Sequence, residues 1–186
     1  MTIQVRNNLI MRILTPADAG EVFSLIDRDR EYLRQWLPWV DSTDSVGGRE
    51  RTIAKWESKY AAGSDVILGI FKDERYIGNI GLHDIKDGTA EIGYWLAEGE
   101  QGQGIMTDCV RALMSYGFRE LELERIFIQC AQENTKSRGI PERLGFRETG
   151  RKKDAENLSG NAVDYIQYDM TRQDFLANTQ REPDKQ

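Results

Sequence analysis

Residues 91–118, EIGYWLAEGEQGQGIMTDCVRALMSYGF, constrain the fold more than any other stretch, because two periodicities meet in it. Ile92, Tyr94 and Leu96 alternate with Gly93, Trp95 and Ala97, the period of two of a strand rich in β-formers. Met106, Val110, Leu113 and Gly117 then recur at helical spacing, with Cys109 and Met114 on the same flank. Between strand and helix lie Gln101, Gly102, Gln103, Gly104, Ile105 and Met106. Glycines there let backbone N–H groups point at an anion such as a diphosphate, and the helix start adds its dipole. The same glycines also suit a tight turn with no ligand. Two well-known phosphate loops do not fit. A P-loop needs Lys-Ser/Thr where Ile105 and Met106 stand, and a dinucleotide turn needs glycine where Thr107 stands.

A chain of 186 residues is long enough for one domain with a real core. We take residues 1–172 as that domain and 173–186 as a polar tail that frays. No apolar run approaches the roughly 18 residues that a membrane span needs. The opening MTIQVRNN lacks the apolar core of a signal peptide, so a cytoplasmic location without membrane contact is expected. A net charge of −6 argues against a nucleic-acid partner and favours a cationic one, so an anionic ligand would need local attraction. One histidine and two scattered cysteines make no familiar zinc site, and no metal is expected. Cys109 and Cys130 read as reduced small hydrophobes.

Residues 9–14 make a first strand. Thr15, Pro16 and Asp18 then open a helix as N-cap, first helical residue and short capping-box acid. Trp36 and Trp39 bracket Leu37 and Pro38, more aromatic area than a connector needs. They either wall an acceptor cleft or cap the sheet. Gly47 and Gly48 read as flexible, before a second helix over residues 49–62. Three antiparallel strands follow, over residues 66–71, 76–85 and 89–97, with His83 in the middle one. A lone histidine on a strand is more often structural than catalytic. After the central helix, residues 125–131 form a buried strand and 134–144 a short helix ending at Gly145. Gly139 and Pro141 predict that this helix is irregular. Residues 146–152 and 163–170 form a last hairpin. The sum is α+β: a mixed, mostly antiparallel sheet of seven strands with helices on both faces, the strands flanking the central helix being parallel.

The combination of EIGYWL, QGQGIM, ENTKS and RLGF resembles the GNAT superfamily of N-acetyltransferases, and within it the RimJ/RimL branch, over residues 9–171. Gln101, Gly104 and Met106 occupy the family pattern Gln/Arg-x-x-Gly-x-Gly/Ala, Met106 departing from its small last residue. The resemblance implies a GNAT fold, acetyl-coenzyme A as cosubstrate and a homodimer. It also implies that residues 101–106 hold the diphosphate, and that the pantetheine arm lies along Trp95 and Leu96 where two parallel strands splay. Asn134 would bond that arm, Ser137 would assist the departing thiolate, and Glu156 would be the base. Trp36, Trp39, His83 and Glu91 are the candidates on the acceptor side, Glu91 also as a base through water. On the residues alone, Asn134 is equally an N-cap, Ser137 a solvated helix residue and Glu156 a loop glutamate.

The implied reaction is attack of a neutral amine on a thioester, which needs deprotonation, a polarised carbonyl and a quenched thiolate. With pKa values of ~7.7–8.0 for an α-amine and ~10.4 for lysine, deprotonation at pH 7 costs roughly 1 and roughly 4.6 kcal/mol. A single weak base therefore suits an N-terminus, the acceptor of the RimJ/RimL branch. A polyamine, amino sugar or antibiotic acceptor, and a non-catalytic coenzyme A-binding regulator, are the competing readings.

Overall fold

A computed structural model describes residues 1–158 and 161–180. Its sheet is built from β1 (Thr2–Arg6), β2 (Leu9–Ile13), β3 (Val66–Lys72), β4 (Arg75–Lys86), β5 (Thr89–Leu96), β6 (Arg125–Ala131), β7 (Arg147–Leu158) and β8 (Asn161–Thr171). The spatial order is β1-β2-β3-β4-β5-β6-β8-β7, so there are eight strands where the sequence reading counted seven. The additional strand is β1, which pairs Ile3 with Met11 and half-buries Ile3 and Val5 against the core. Two apolar residues among Thr2, Gln4 and Arg6 were too weak a signal.

Every neighbouring pair is antiparallel except β5 and β6, as expected of strands joined through a helix. Their ladder is short: Thr89 with Arg125, Ala90 with Ile126 and Glu91 with Phe127. Beyond Glu91 the two strands part.

The crossover helix is α4 (Ile105–Arg119). Met106, Val110, Leu113 and Gly117, whose spacing predicted it, are all buried with Cys109 and Met114. Gly117 sits where a Cβ would come within 2.9 Å of Ile126 Cδ1, so its lack of a side chain sets how closely α4 approaches the sheet. The other face carries α1 (Ala19–Arg28), α2 (Arg30–Leu33) and α3 (Val46–Ala61), packed through Val22, Ile26, Leu33 and Ile53. Asp18 closes the entry to α1 by accepting the Thr15 N–H at 2.7 Å, while Arg12 holds it at 2.6 Å. The Arg12 guanidinium keeps that carboxyl at about 2. The second helix starts earlier than expected. Ser45 Oγ accepts the Gly48 N–H at 3.1 Å, so Gly47 and Gly48 lie in the first turn of α3 and not in a flexible link.

Helix α5 (Thr135–Arg143) runs on through Gly139 and Pro141, the two residues that predicted an irregular helix. Gly145 follows it at φ 79°, the left-handed stop its type predicted. The tail also differs from expectation. Residues 172–180 form α6 (Arg172–Gln180), whose Phe175 is buried and stacks on Phe118 at 5.0 Å. The rest of the predicted tail, 181–186, lies outside the described residues. Cys109 and Cys130 are free and buried, and among the described residues no helix is long and apolar enough to cross a membrane.

Candidate active site

A cleft of about 950 Å³ opens where β5 and β6 part, lined by Tyr94, Trp95 and Leu96 on one side and Gln129, Cys130 and Ala131 on the other. The Ala97 N–H bonds Ile77 O at 2.8 Å, and the β4–β5 register is unbroken from Gly78 to His83. By the alternation of an antiparallel ladder, Trp95 and Gly93 therefore turn their backbone groups toward β4. Tyr94 and Leu96 turn theirs into the gap. An extended ligand with amide groups can join the sheet there as an extra strand.

The loop beyond β5 forms one end of the cleft. Gly102 and Gly104 have φ of 75° and 73°, left-handed values that suit glycine, and Gly104 is the N-cap of α4. Asp108 is the first residue whose N–H bonds back into the helix, to Gly104 O at 3.1 Å. The N–H groups before it are left for a ligand, with the dipole behind them. Gln101, Gly102, Gly104, Ile105 and Met106 all line the cleft. Gln103 does not: its side chain takes Lys72 at 2.9 Å, and its carbonyl takes Arg6 at 3.3 Å. Two cations lie beside the loop. Lys136 Nζ reaches Gln101 Oε1 and Arg143 Nη2 reaches Thr107 Oγ1, both at 3.1 Å.

Helix α5 brings Asn134 and Ser137 to the cleft together. Asn134 Oδ1 caps the helix by accepting the Ser137 N–H at 3.1 Å, which leaves its amide N–H groups for a ligand. Ser137 lies in a chain of hydrogen bonds. The Tyr94 hydroxyl donates to the Ser137 carbonyl at 3.0 Å, and Ser137 Oγ donates to Tyr94 Oη at 3.2 Å. The Ser137 proton being engaged, Cys130 donates its S–H to Ser137 Oγ at 3.2 Å. Pro141 explains the first bond. It has no N–H, so the carbonyl four residues back, that of Ser137, lacks its helical donor and Tyr94 supplies one. Burial holds the Tyr94 phenol well above its usual pKa and raises the Cys130 thiol, so both stay protonated at neutral pH.

Two carboxylates line the cleft farther along the gap. Glu91 is half-buried, and burial followed by the nearby Asp84 raises its pKa, against the pull of Lys152. Glu156 is not in a loop: it lies on β7, opposite Val163 beyond a bulge, and lines the cleft. Tyr165 stands by both. Burial raises its phenol first, and the charges of Glu156 and Glu91 add to the effect. Trp36 and Trp39 line the cleft, and Trp39 leans on Trp95 at 6.1 Å, so it walls the site and caps the sheet at once. His83 stands apart in an adjoining cavity, its Nδ1 3.3 Å from Asp65 and its pKa lowered by burial.

Tyr94, Cys130, Lys136 and Arg143 were not singled out from sequence. Tyr94 read as one more alternating strand residue. Lys136, Ile140 and Arg143 do follow helical spacing, which marks one face of α5 as facing the loop.

Residues 8–147 match the acetyltransferase (GNAT) domain family. The chain is 35% identical over 177 residues to YdaF of Bacillus subtilis (strain 168), covering 94% of this chain and 97% of that one. It is 32% identical over 160 residues to the ribosomal-protein-serine acetyltransferase of Escherichia coli (strain K12), covering 85% and 89%. A solved RimL ribosomal L7/L12 alpha-N-protein acetyltransferase in complex with coenzyme A matches with a TM-score of 0.89 at 27% identity, over 92% of this chain and 98% of that one. Coenzyme A suits the donors found here: a glycine nest, a helix N-terminus and two cations for phosphates, and an open strand edge for an amide-bearing arm. Loop, gap and domain match agree, and the chain belongs to the GNAT acetyltransferase family as an acetyl-CoA-dependent N-acetyltransferase.

Proposed function

We propose that the enzyme acetylates the N-terminal α-amine of a protein, of the ribosomal-protein type, by direct attack in a ternary complex. The observation that carries the reading is that Glu91 and Glu156 both line the cleft and both act on Tyr165, beside the gap between β5 and β6. The relative that acetylates a ribosomal-protein serine supports the acceptor class.

In this reading the loop over residues 101–106 and the start of α4 hold the diphosphate, Lys136 and Arg143 add charge, and Asn134 and the Leu96 backbone bond the arm. The Tyr94 N–H polarises the thioester carbonyl. Glu156 takes the proton that the amine sheds, and Glu91, the carboxylate that burial raises toward neutrality, relays through water. The amine nitrogen bonds the carbonyl carbon, the carbon–sulfur bond breaks, and the sulfur leaves with the electron pair. Ser137 then turns its hydroxyl from Tyr94 to the sulfur. Trp36 and Trp39 wall the acceptor's approach. The reading carries with it a cytoplasmic homodimer.

The test is a pH profile of wild type, Glu156→Gln and Glu91→Gln on an N-terminal peptide, scored by free-thiol release. The Glu156→Gln deficit should be largest at neutral pH and shrink near pH ~8, where solvent can deprotonate an α-amine. A deficit constant across pH removes Glu156 as base. Recovery only above about pH 9.5, or turnover confined to polyamines and amino sugars, refutes the N-terminal reading.

A further inference from the structure

A second cavity, of about 660 Å³, adjoins the cleft and shares Leu37, Trp39, Gly93, Tyr94 and Trp95 with it. Its floor includes Gly81 and Gly93, which face each other across β4 and β5. A Cβ on either would stand 3.1 Å from His83 Nε2, so two missing side chains make the room.

Arg49, from the first turns of α3, forms part of the wall. It is only 6% exposed. Its guanidinium carbon lies 5.3 Å from the Trp39 ring centre and 5.8 Å from that of Trp56. Nη2 donates to Thr43 Oγ1 at 2.7 Å, but Nε is buried with no partner among the described residues. No carboxylate pairs with Arg49 among the described residues, and burial weighs against its charge. Two indole faces offset part of that penalty. An enclosed cation without a counter-ion is otherwise expensive to keep. The other charged groups around the cavity do not cancel it. Asp44 is exposed and takes the Ser45 hydroxyl at 3.0 Å, Arg51 adds positive charge, and burial favours neutral His83.

We propose that this cavity is an acceptor subsite for a carboxylate: the side chain of an Asp or Glu within the first three residues of the protein acceptor. The proposal rests on the N-terminal reading. An α-amine in the cleft at Tyr94 is separated from the cavity only by residues that line both, so the next residues of a peptide pass Trp39 and Trp95 to reach Arg49. A planar guanidinium held against two indoles is already ordered for a carboxylate's oxygens. The acidic chain thus selects its acceptor by a local cation, against its own net charge.

N-acetylated tripeptides bind without reacting, which separates this subsite from turnover. Pairs with Glu or Gln at position one, two or three are titrated into the full chain saturated with coenzyme A, following tryptophan fluorescence. At one position at least, the Glu peptide should bind about tenfold tighter than its Gln twin. In Arg49→Gln the ratio should fall to about one, and Arg49→Lys should keep part of it. Equal affinities at all three positions in wild type overturn the proposal, whatever the variants do. A ratio that survives in Arg49→Gln overturns it as well. The free-amine peptides give turnover separately. Glu preference in binding with no acetylation of any peptide fails the N-terminal reading alone; acetylation without Glu preference fails the subsite alone.

Discussion

Tyr94→Phe keeps the ring and removes a hydroxyl that ties β5 to α5 through two bonds, to the Ser137 carbonyl at 3.0 Å and from Ser137 Oγ at 3.2 Å. The carbonyl matters more, because Pro141 denies it a helical donor. A buried acceptor left unpaired costs about 1–3 kcal/mol. The site borders the cleft, so water recovers part of this and about 1 kcal/mol is expected. For a chain of this size that lowers Tm by about 2–4 °C. Pro141→Ala returns an N–H to the same carbonyl. In that background Tyr94→Phe no longer orphans it, and its cost should fall by about 1 kcal/mol, a coupling of the size seen between residues sharing one network. Urea unfolding of wild type, both single variants and the double variant measures the coupling, whatever Pro141→Ala does by itself to helix propensity and packing. Equal costs of Tyr94→Phe in the two backgrounds would refute the idea that Tyr94 stands in for the missing N–H.

Two further substitutions probe the cosubstrate side. Gly104→Glu places a side chain at φ 73°, its Cβ 3.3 Å from Arg6 Nη2, and a negative charge at the start of α4; calorimetry should show acetyl-CoA binding lost, and unchanged affinity in a folded variant would remove the loop assignment. Ser137→Ala should lower kcat more than it weakens acetyl-CoA binding, since the thiolate exists only late in the reaction, and an unchanged kcat would make Ser137 a bystander.

Sequence showed the centre of the fold well because there the determinants are local. The alternation in β5 and the helical spacing in α4 lie within one stretch, and Gly104 announces the turn between them. Elsewhere the deciding contacts are distant. β7 is mostly exposed from Arg147 to Asp154, so its reach beyond Lys152 shows in no alternation, and pairing with β8 extends it past Glu156. Pro141 signalled an irregular helix, but not what compensates it, because the tyrosine that does so lies on another element. Arg49 reads like any charged residue in a first helical turn. Its burial is made by Trp39 and Trp56, one of them on a separate segment. Lys136 and Arg143 were legible as a helical face, but only the packing of α5 shows that the face meets the loop.

Net charge is the sequence quantity that says least about this site. At −6 the chain would repel a polyanion from afar, yet exposed charges farther off than ~8 Å are largely screened at physiological salt. What a ligand meets is the local arrangement, and there pairing decides. Many arginines are held by carboxylates, as Arg12 is by Asp18 and Arg125 by Asp169. A ligand anion would have to displace those partners. Among the described residues Lys136 and Arg143 at the loop meet neutral oxygens and, for Lys136, the Tyr32 ring, so a phosphate displaces no carboxylate from them. Two carboxylates do flank the loop, but each is already paired: Glu100 with Lys72 at 2.8 Å, and Asp108 with Arg6 and Arg111. Glu91 precedes Leu96 by five residues of strand, about 17 Å at the usual rise, which sets it apart from the phosphate end. An unpaired carboxylate beside the diphosphate would weaken binding, and at the other end the charge of Lys152 partly offsets the rise in basicity that burial and Asp84 give Glu91.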